Sequence, residues 1–169
     1  MNIYNENLND LSCKAWILPF ENKVHAAVSE SEIVHILTGH QRYTYVPHTP
    51  SWCQYVFSWC DQLITLFDLN IYMNSSQKKK NISDFSSNDI ICVISYKDEK
   101  NTVQYGSLLL SSLPFVRTVT DDQMCKYPPA TTIDWGKLAL SCFKDSEIGP
   151  IPILDVPHLF CDSIVKPVL

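Results

Sequence analysis

Glycine is nearly missing from this sequence: four residues in a chain of 169. Phosphate-cradling loops and dinucleotide fingerprints need clustered glycines, so both are excluded. No G-x-S-x-G occurs either, which removes the nucleophile elbow of acyl-transfer enzymes. Charge is also sparse, with Asp, Glu, Lys and Arg making up 18% of residues and the net charge standing at -5. Binding to a phosphate backbone rests on clustered cations, and the only run of them is Lys78-Lys79-Lys80. That run sits in a Ser/Asn-rich stretch and reads as a solvated loop. No apolar stretch approaches the length needed to cross a bilayer. The polar, Asn-rich start lacks the basic, then apolar, pattern of a secretion signal, and the expected location is the cytoplasm. The seven cysteines are odd in number and widely spaced, with no CxxC pair. They read as free thiols, mostly buried as small apolar groups, and neither as a disulfide framework nor as a zinc site.

What is present is strand character broken by turns. Residues 14–20 and 24–28 read as a hairpin across Glu21-Asn22-Lys23. Ser29 with Glu32 forms a capping-box pattern, Val28 can staple against Ile33, and Gly39 supplies a stop, so the spacing predicts a short helix over residues 29–39. Pro47 and Pro50 make residues 43–52 a stiff extended connector. Strand character returns over residues 55–69 with a turn at Cys60-Asp61, after which Asp68 caps a brief helical turn. Residues 74–88 read as a mobile loop between two halves. Residues 89–96 and 103–110 form a second hairpin, residues 111–119 continue extended, and Pro128-Pro129 marks another connector. Residues 151–154 form a late strand ending at Asp155, again a cap position.

A weak internal echo links Leu63-Ile64-Thr65-Leu66-Phe67-Asp68-Leu69 to Pro150-Ile151-Pro152-Ile153-Leu154-Asp155-Val156. Two similar small β-modules packed together account for it. Many short strands between turns predict a mainly β fold of small barrels or a sandwich.

Taken in order, these features resemble the CheW-like family of bacterial chemosensory adaptors. The resemblance is carried by the hairpin leading into Ile33 and Ile36, by Val46-Pro47 with Pro50 and Trp52, by Val56-Phe57 with its partner strand ending in Asp68-Leu69, and by Gly106 with Leu154-Asp155 in the second half. It implies two intertwined five-stranded SH3-like β-barrels, with one or two short helices and an apolar seam between the barrels. The domain would span residues 14–162, behind a polar tail at residues 1–13. It further implies a protein without catalysis or cofactor, coupling chemoreceptor cytoplasmic tips to a CheA-type histidine kinase through that kinase's regulatory domain. One departure stands out. The family's Asn-Leu-Arg-Gly turn is replaced by Ser58-Trp59-Cys60-Asp61, so a guanidinium with five donors gives way to a thiol followed by a carboxylate. Asp61, at the glycine position, still tolerates a left-handed backbone. The change suits an accessory adaptor, for instance in a system linked to type IV pili and twitching motility. Candidate partner-binding residues are Ile33, Ile36, Ser58, Trp59, Cys60 and Asp61, with Ile33 and Ile36 reading equally well as plain core.

Sharper chemistry reads less well. Asp61 disfavours a nucleophilic thiolate at Cys60, and no His is near it in sequence. His25, His35 and His40 lack the close ligand pairs of a zinc site, and His35 is expected on the exposed side of the helix. The tandem Ser51-Trp52-Cys53 and Ser58-Trp59-Cys60 read as coincidence. The alternative from a different class is a small barrel binding single-stranded nucleic acid through Tyr43, Tyr45, Trp52, Tyr55, Phe57 and Trp59. Arg42 is the lone cation beside those rings, so burial between strands is the better account.

Overall fold

The computed structural model describes residues 12–39, 41–73, 81, 85, 88–126 and 135–165. Most of the expected loop at residues 74–88, the Pro128-Pro129 connector, His40 and nearly all of the N-terminal tail lie outside the described residues. The chain opens with β1 (Ser12–Pro19) and β2 (His25–Ser29), then runs through β3 (Ile33–Thr38), β4 (Thr44–Tyr45), β5 (Tyr55–Trp59), β6 (Gln62–Phe67) and helix α1 (Leu69–Met73). It continues through β7 (Ile90–Lys97), β8 (Val103–Leu110), β9 (Phe115–Thr120), β10 (Ala139–Asp145) and β11 (Gly149–Leu154) to helix α2 (Val156–Val165).

The strands form two sheets, ordered β10-β11-β2-β1-β9 and β3-β7-β8-β6-β5-β4. The first has five strands; the second has five of full length plus the two-residue β4. The first sheet takes β1 and β2 from one end of the chain and β9 to β11 from the other, so the barrels are intertwined. The expected hairpins at β1–β2, β5–β6 and β7–β8 are all antiparallel pairs. The echoed segments occupy equivalent places. Both β6 and β11 end in a parallel pairing, to β8 and to β2 respectively, and each leads into a helix. Asp68 caps the first, its Oδ1 accepting from the N–H of Asn70 at 3.0 Å and of Ile71 at 3.2 Å. Asp155 caps the second, accepting from the N–H of His158 at 3.1 Å.

Period-two alternation divides the apolar residues among three clusters. On β1, Ala15 and Ile17 point into the first barrel while Leu18 faces the seam. On β7, Ile91 and Val93 fill the second barrel while Cys92 and Ile94 face the seam. Both sheets thus bury two faces, and Val156, Leu159 and Phe160 of α2 close over the seam at helical spacing. Each fully buried side chain of this size contributes about 1.5–3 kcal/mol, and the seam cluster is the largest of the three. The first barrel closes where Arg117 on β9 meets Asp145 at the end of β10 at 3.1 Å and Glu147 beyond it at 2.6 Å.

Two expectations are corrected. Residues 29–39 are not a helix. The predicted capping contact does form, with the N–H of Ser29 donating to Glu32 Oε2 at 2.7 Å, but it ties a turn from β2 into β3. The β-branched Ile33, Val34, Ile36 and Thr38 then extend and pair with β7, Ile33 opposite Ile94 and Ile36 opposite Cys92. That non-local pairing outweighs the local signal. Gly39, at φ 96°, ends a strand and not a helix. The cysteines are free thiols, but only Cys53, Cys92 and Cys142 are buried; Cys13 and Cys60 are exposed, with Cys125 and Cys161 between. Strand ends and turns, where several of them lie, are accessible whatever the side chain's polarity.

Candidate functional site

The turn that departs from the family pattern is the tip of the β5–β6 hairpin. Trp59 pairs with Gln62, leaving Cys60 and Asp61 as a two-residue loop. Both have positive φ, 47° at Cys60 and 60° at Asp61, the signature of the type I′ turn that matches strand twist. Asp61 accepts the left-handed conformation as expected, and Cys60 adopts it too. Ser58, Cys60 and Asp61 are exposed, and Ser58 stands opposite Leu63, which is 75% exposed. Three polar positions and one bare leucine therefore share the tip.

Trp59 is different. It follows Tyr55 and Phe57 in the inward alternation of β5 and packs at the edge of the second barrel's core. Its ring lies 5.3 Å from that of Tyr105 on β8. Its indole Nε1 donates to His35 Nδ1 at 3.3 Å, with ring centroids 6.4 Å apart. Because β4 covers only the opposite end of β5, this contact brings the uncovered end of β5 against β3.

Ile33 and Ile36 lie on β3, which among the described residues is an edge strand paired with β7. Both are half-buried, and Ile33 packs against the seam cluster. A register shift between Ile33 and His35 leaves Val34 44% exposed, and such bulges blunt an edge against uncontrolled pairing. The six nominated residues thus fall on two neighbouring features, the β3 edge and the β5–β6 tip, held together by His35 and Trp59. Sequence reasoning read His35 as exposed, as it is, without its contact to Trp59, and did not single out Val34 or Leu63 as exposed apolar positions. The alternating β-branched run at residues 33–38 was the available signal for the first two.

At the β2–β3 turn burial raises the Glu32 carboxyl above its ordinary value, partly offset by the Ser29 N–H, with Asp155 adding to the rise. Lys14 and Glu30 approach at 4.0 Å on an exposed surface. Among the described residues, no three His, Cys, Asp or Glu side chains come together as a metal site. A cavity of about 660 Å³ lies between the β7–β8 hairpin and α2, lined by Thr65, Tyr96, Tyr105, Gly106 and Phe160. The carboxylate at its mouth, Asp98, is occupied by the N–H groups of Lys100 and Thr102 and by Gln104 Nε2. Most of the rings considered for nucleic-acid stacking pack against other rings, although Tyr45 is 47% exposed. Tyr43 packs on Phe85, Tyr55 and Phe57, and Trp52 on Tyr72.

Comparison with known proteins agrees with this architecture. The model of the CheW-like domain family matches residues 22–163. A crystal structure of the scaffolding protein TtCheW from Thermoanaerobacter tengcongensis superposes with a TM-score of 0.68 at 16% identity, covering 89% of this chain and 93% of that one. No curated protein matches the sequence. Among the described residues, no helix is long and apolar enough to cross a membrane.

Proposed function

The chain belongs to the CheW-like domain family of adaptors, and we propose that it acts by binding alone, coupling chemoreceptor cytoplasmic tips to the regulatory domain of a CheA-type histidine kinase in the cytoplasm. Residues 14–162 are the proposed functional unit. The observation that carries this reading is the family match from residue 22 to 163, which takes in every strand but β1, joined to a two-sheet architecture built on one apolar seam. Binding energy in such an adaptor comes from a few anchors on exposed strand and turn surfaces. The β3 edge with Ile33 and Ile36, and the tip from Ser58 through Trp59 and Cys60 to Asp61, are the proposed contact surfaces.

The missing guanidinium sets the proposed specificity. A tip bearing Cys60 and Asp61 offers no fixed positive charge, so receptor surfaces that rely on a bidentate carboxylate contact bind it weakly. The proposed setting for that difference is an accessory role, for instance in a pilus-linked chemosensory system.

The test is calorimetric titration of the full chain with the regulatory domain of a CheA-type kinase, and separately with a chemoreceptor-tip fragment. Saturable binding to the kinase domain is the expected result, and Cys60→Arg is expected to strengthen receptor binding. Absence of binding to both, together with salt-sensitive binding of an unstructured oligonucleotide, would move the protein to the nucleic-acid class.

A further inference from the structure

The closure of the first barrel holds a pair of thiols that no adaptor role requires. Cys125 follows the turn after β9, and Cys142 lies within β10. Met124 and Phe143 form an isolated antiparallel bridge, so Cys125 stands directly across from Cys142. Its N–H donates to the Cys142 carbonyl at 3.0 Å, and the two sulfurs lie 3.2 Å apart. Directly opposed residues in an antiparallel pair have Cα atoms about 4.5–5.5 Å apart, inside the range of about 4.4–6.8 Å that a disulfide spans. The backbone is therefore already placed for a bond that 17 residues of intervening separation would make long-range.

The two thiols differ in access. Cys125 is half-buried and reached from solvent, whereas Cys142 is 2% exposed. Burial, with the hydrogen bond that the Cys142 thiol makes to Cys125, pushes the Cys142 thiol up to about 12, so it stays protonated and resists direct oxidation. Cys13 and Cys60, the exposed thiols, sit on β1 and at the β5–β6 tip.

We propose that Cys125 and Cys142 form a peroxide-responsive dithiol whose oxidation covalently locks the seam closing the first barrel. The Cys125 thiolate attacks one oxygen of hydrogen peroxide. The O–O bond breaks, a sulfenic acid forms, and the departing hydroxide leaves as water with the proton the thiol gave up. The Cys142 sulfur then attacks the Cys125 sulfur. An S–S bond replaces the S–O bond, and the hydroxide leaves as a second water with the Cys142 proton. Two thiols lose two electrons and peroxide is reduced to two waters. The product joins β10 to the segment after β9 beside the Arg117–Asp145 ion pair, so the two edges of the sheet can no longer part. A thiol reductant reverses it.

The test is peptide mapping of the folded full-length protein after peroxide, with free thiols alkylated before tryptic digestion. Cleavage at Arg117, Lys126, Lys137 and Lys144 isolates Cys125 in residues 118–126 and Cys142 in residues 138–144. The expected result is these two peptides linked, two hydrogens lighter than their sum, and separated again by dithiothreitol. The thermal midpoint of the oxidised chain is expected to rise by about 5–10 °C, a shift that Cys125→Ser abolishes. Cys125→Ser carries this control because its site is half-buried and tolerates the change, whereas Cys142→Ser places a hydroxyl in the interior. Two results overturn the proposal. One is both thiols remaining alkylatable after peroxide has consumed Cys60. The other is a linked peptide that forms only when the chain is oxidised in urea.

Discussion

Trp59 donates its indole N–H to Nδ1 of His35 across 3.3 Å, and this contact joins the ends of two strands that share no ladder. Indole is a donor only, so the His35 proton resides on Nε2. The side chain nominated for partner binding is thus also a closing element of the second barrel. Trp59→Phe keeps the contact with Tyr105 and loses the donor, at an expected cost below about 1.5 kcal/mol. Trp59→Asp puts a carboxylate into the rim of an apolar cluster and is expected to cost 3 kcal/mol or more, of order a core truncation. Urea unfolding of both variants measures the difference. Trp59→Phe is therefore the variant in which a change in partner binding reports contact and not folding.

Gly106 is dictated by space. A Cβ there would lie 2.4 Å from Cε1 and 2.6 Å from Cζ of Phe160, whose ring stacks on Tyr96 at 5.2 Å. Gly106→Ala pushes α2 off the sheet and is expected to destabilise by about 1–3 kcal/mol. Phe160→Leu in the same chain opens room for the methyl group. The double variant is then expected to be more stable than the sum of the single changes predicts, a coupling measurable by denaturant titration.

Burial alone would raise the Asp145 carboxyl, but the N–H groups of Ile148 and Glu147 and the Arg117 guanidinium outweigh it and hold the group below its ordinary 3.8. A depressed carboxylate stabilises the fold fully above the unfolded value, and that contribution is lost as pH falls through the folded one. Asp145→Asn keeps an acceptor for the two N–H groups and loses the ion pair. Its expected cost at pH 7 is about 1–3 kcal/mol. Below pH 3.8 the gap from the unchanged protein narrows, as unfolding curves across that range will record.

Cys60 holds φ 47°, a left-handed backbone costing an ordinary residue about 1–2 kcal/mol. Cys60→Gly or Cys60→Asn is expected to raise stability by about 1 kcal/mol, read from the thermal midpoint, and Cys60→Val to lower it. The β5–β6 turn itself is expected to persist in the first two variants.

Much of the fold was legible because hairpins carry their own punctuation. Glu21-Asn22-Lys23, Cys60-Asp61 and the turn after Lys97 each lie between alternating apolar runs, and each became a reversal. The echo between the segments ending at Asp68 and Asp155 was also legible, since a strand followed by a capped helix writes the same pattern twice. The run after Ser29 misled for a physical reason. A Ser and a Glu three residues apart make the same hydrogen bond in a turn as at a helix start. What decides between them is Ile94 and Cys92 on β7, far along the chain. Distance in sequence likewise hid the contact of His35 with Trp59 and that of Cys125 with Cys142. The two Ser-Trp-Cys triplets diverge in place, with Cys53 buried at the end of a 3₁₀ turn and Cys60 exposed at a hairpin tip.

Interleaving of the two barrels also fixes an order of events during synthesis. The strands of the second barrel, β3 to β8, leave the ribosome as one series, with β5 followed at once by β6 and β7 by β8, while β3 awaits β7. The hairpin of β1 and β2 emerges first and then waits for β9 to β11, several seconds at elongation rates of ~5–20 residues per second. Throughout that interval its two apolar faces have nothing of their own sheet to cover them. The later barrel thus matures first and offers its seam face as the template on which the earlier hairpin can shelter.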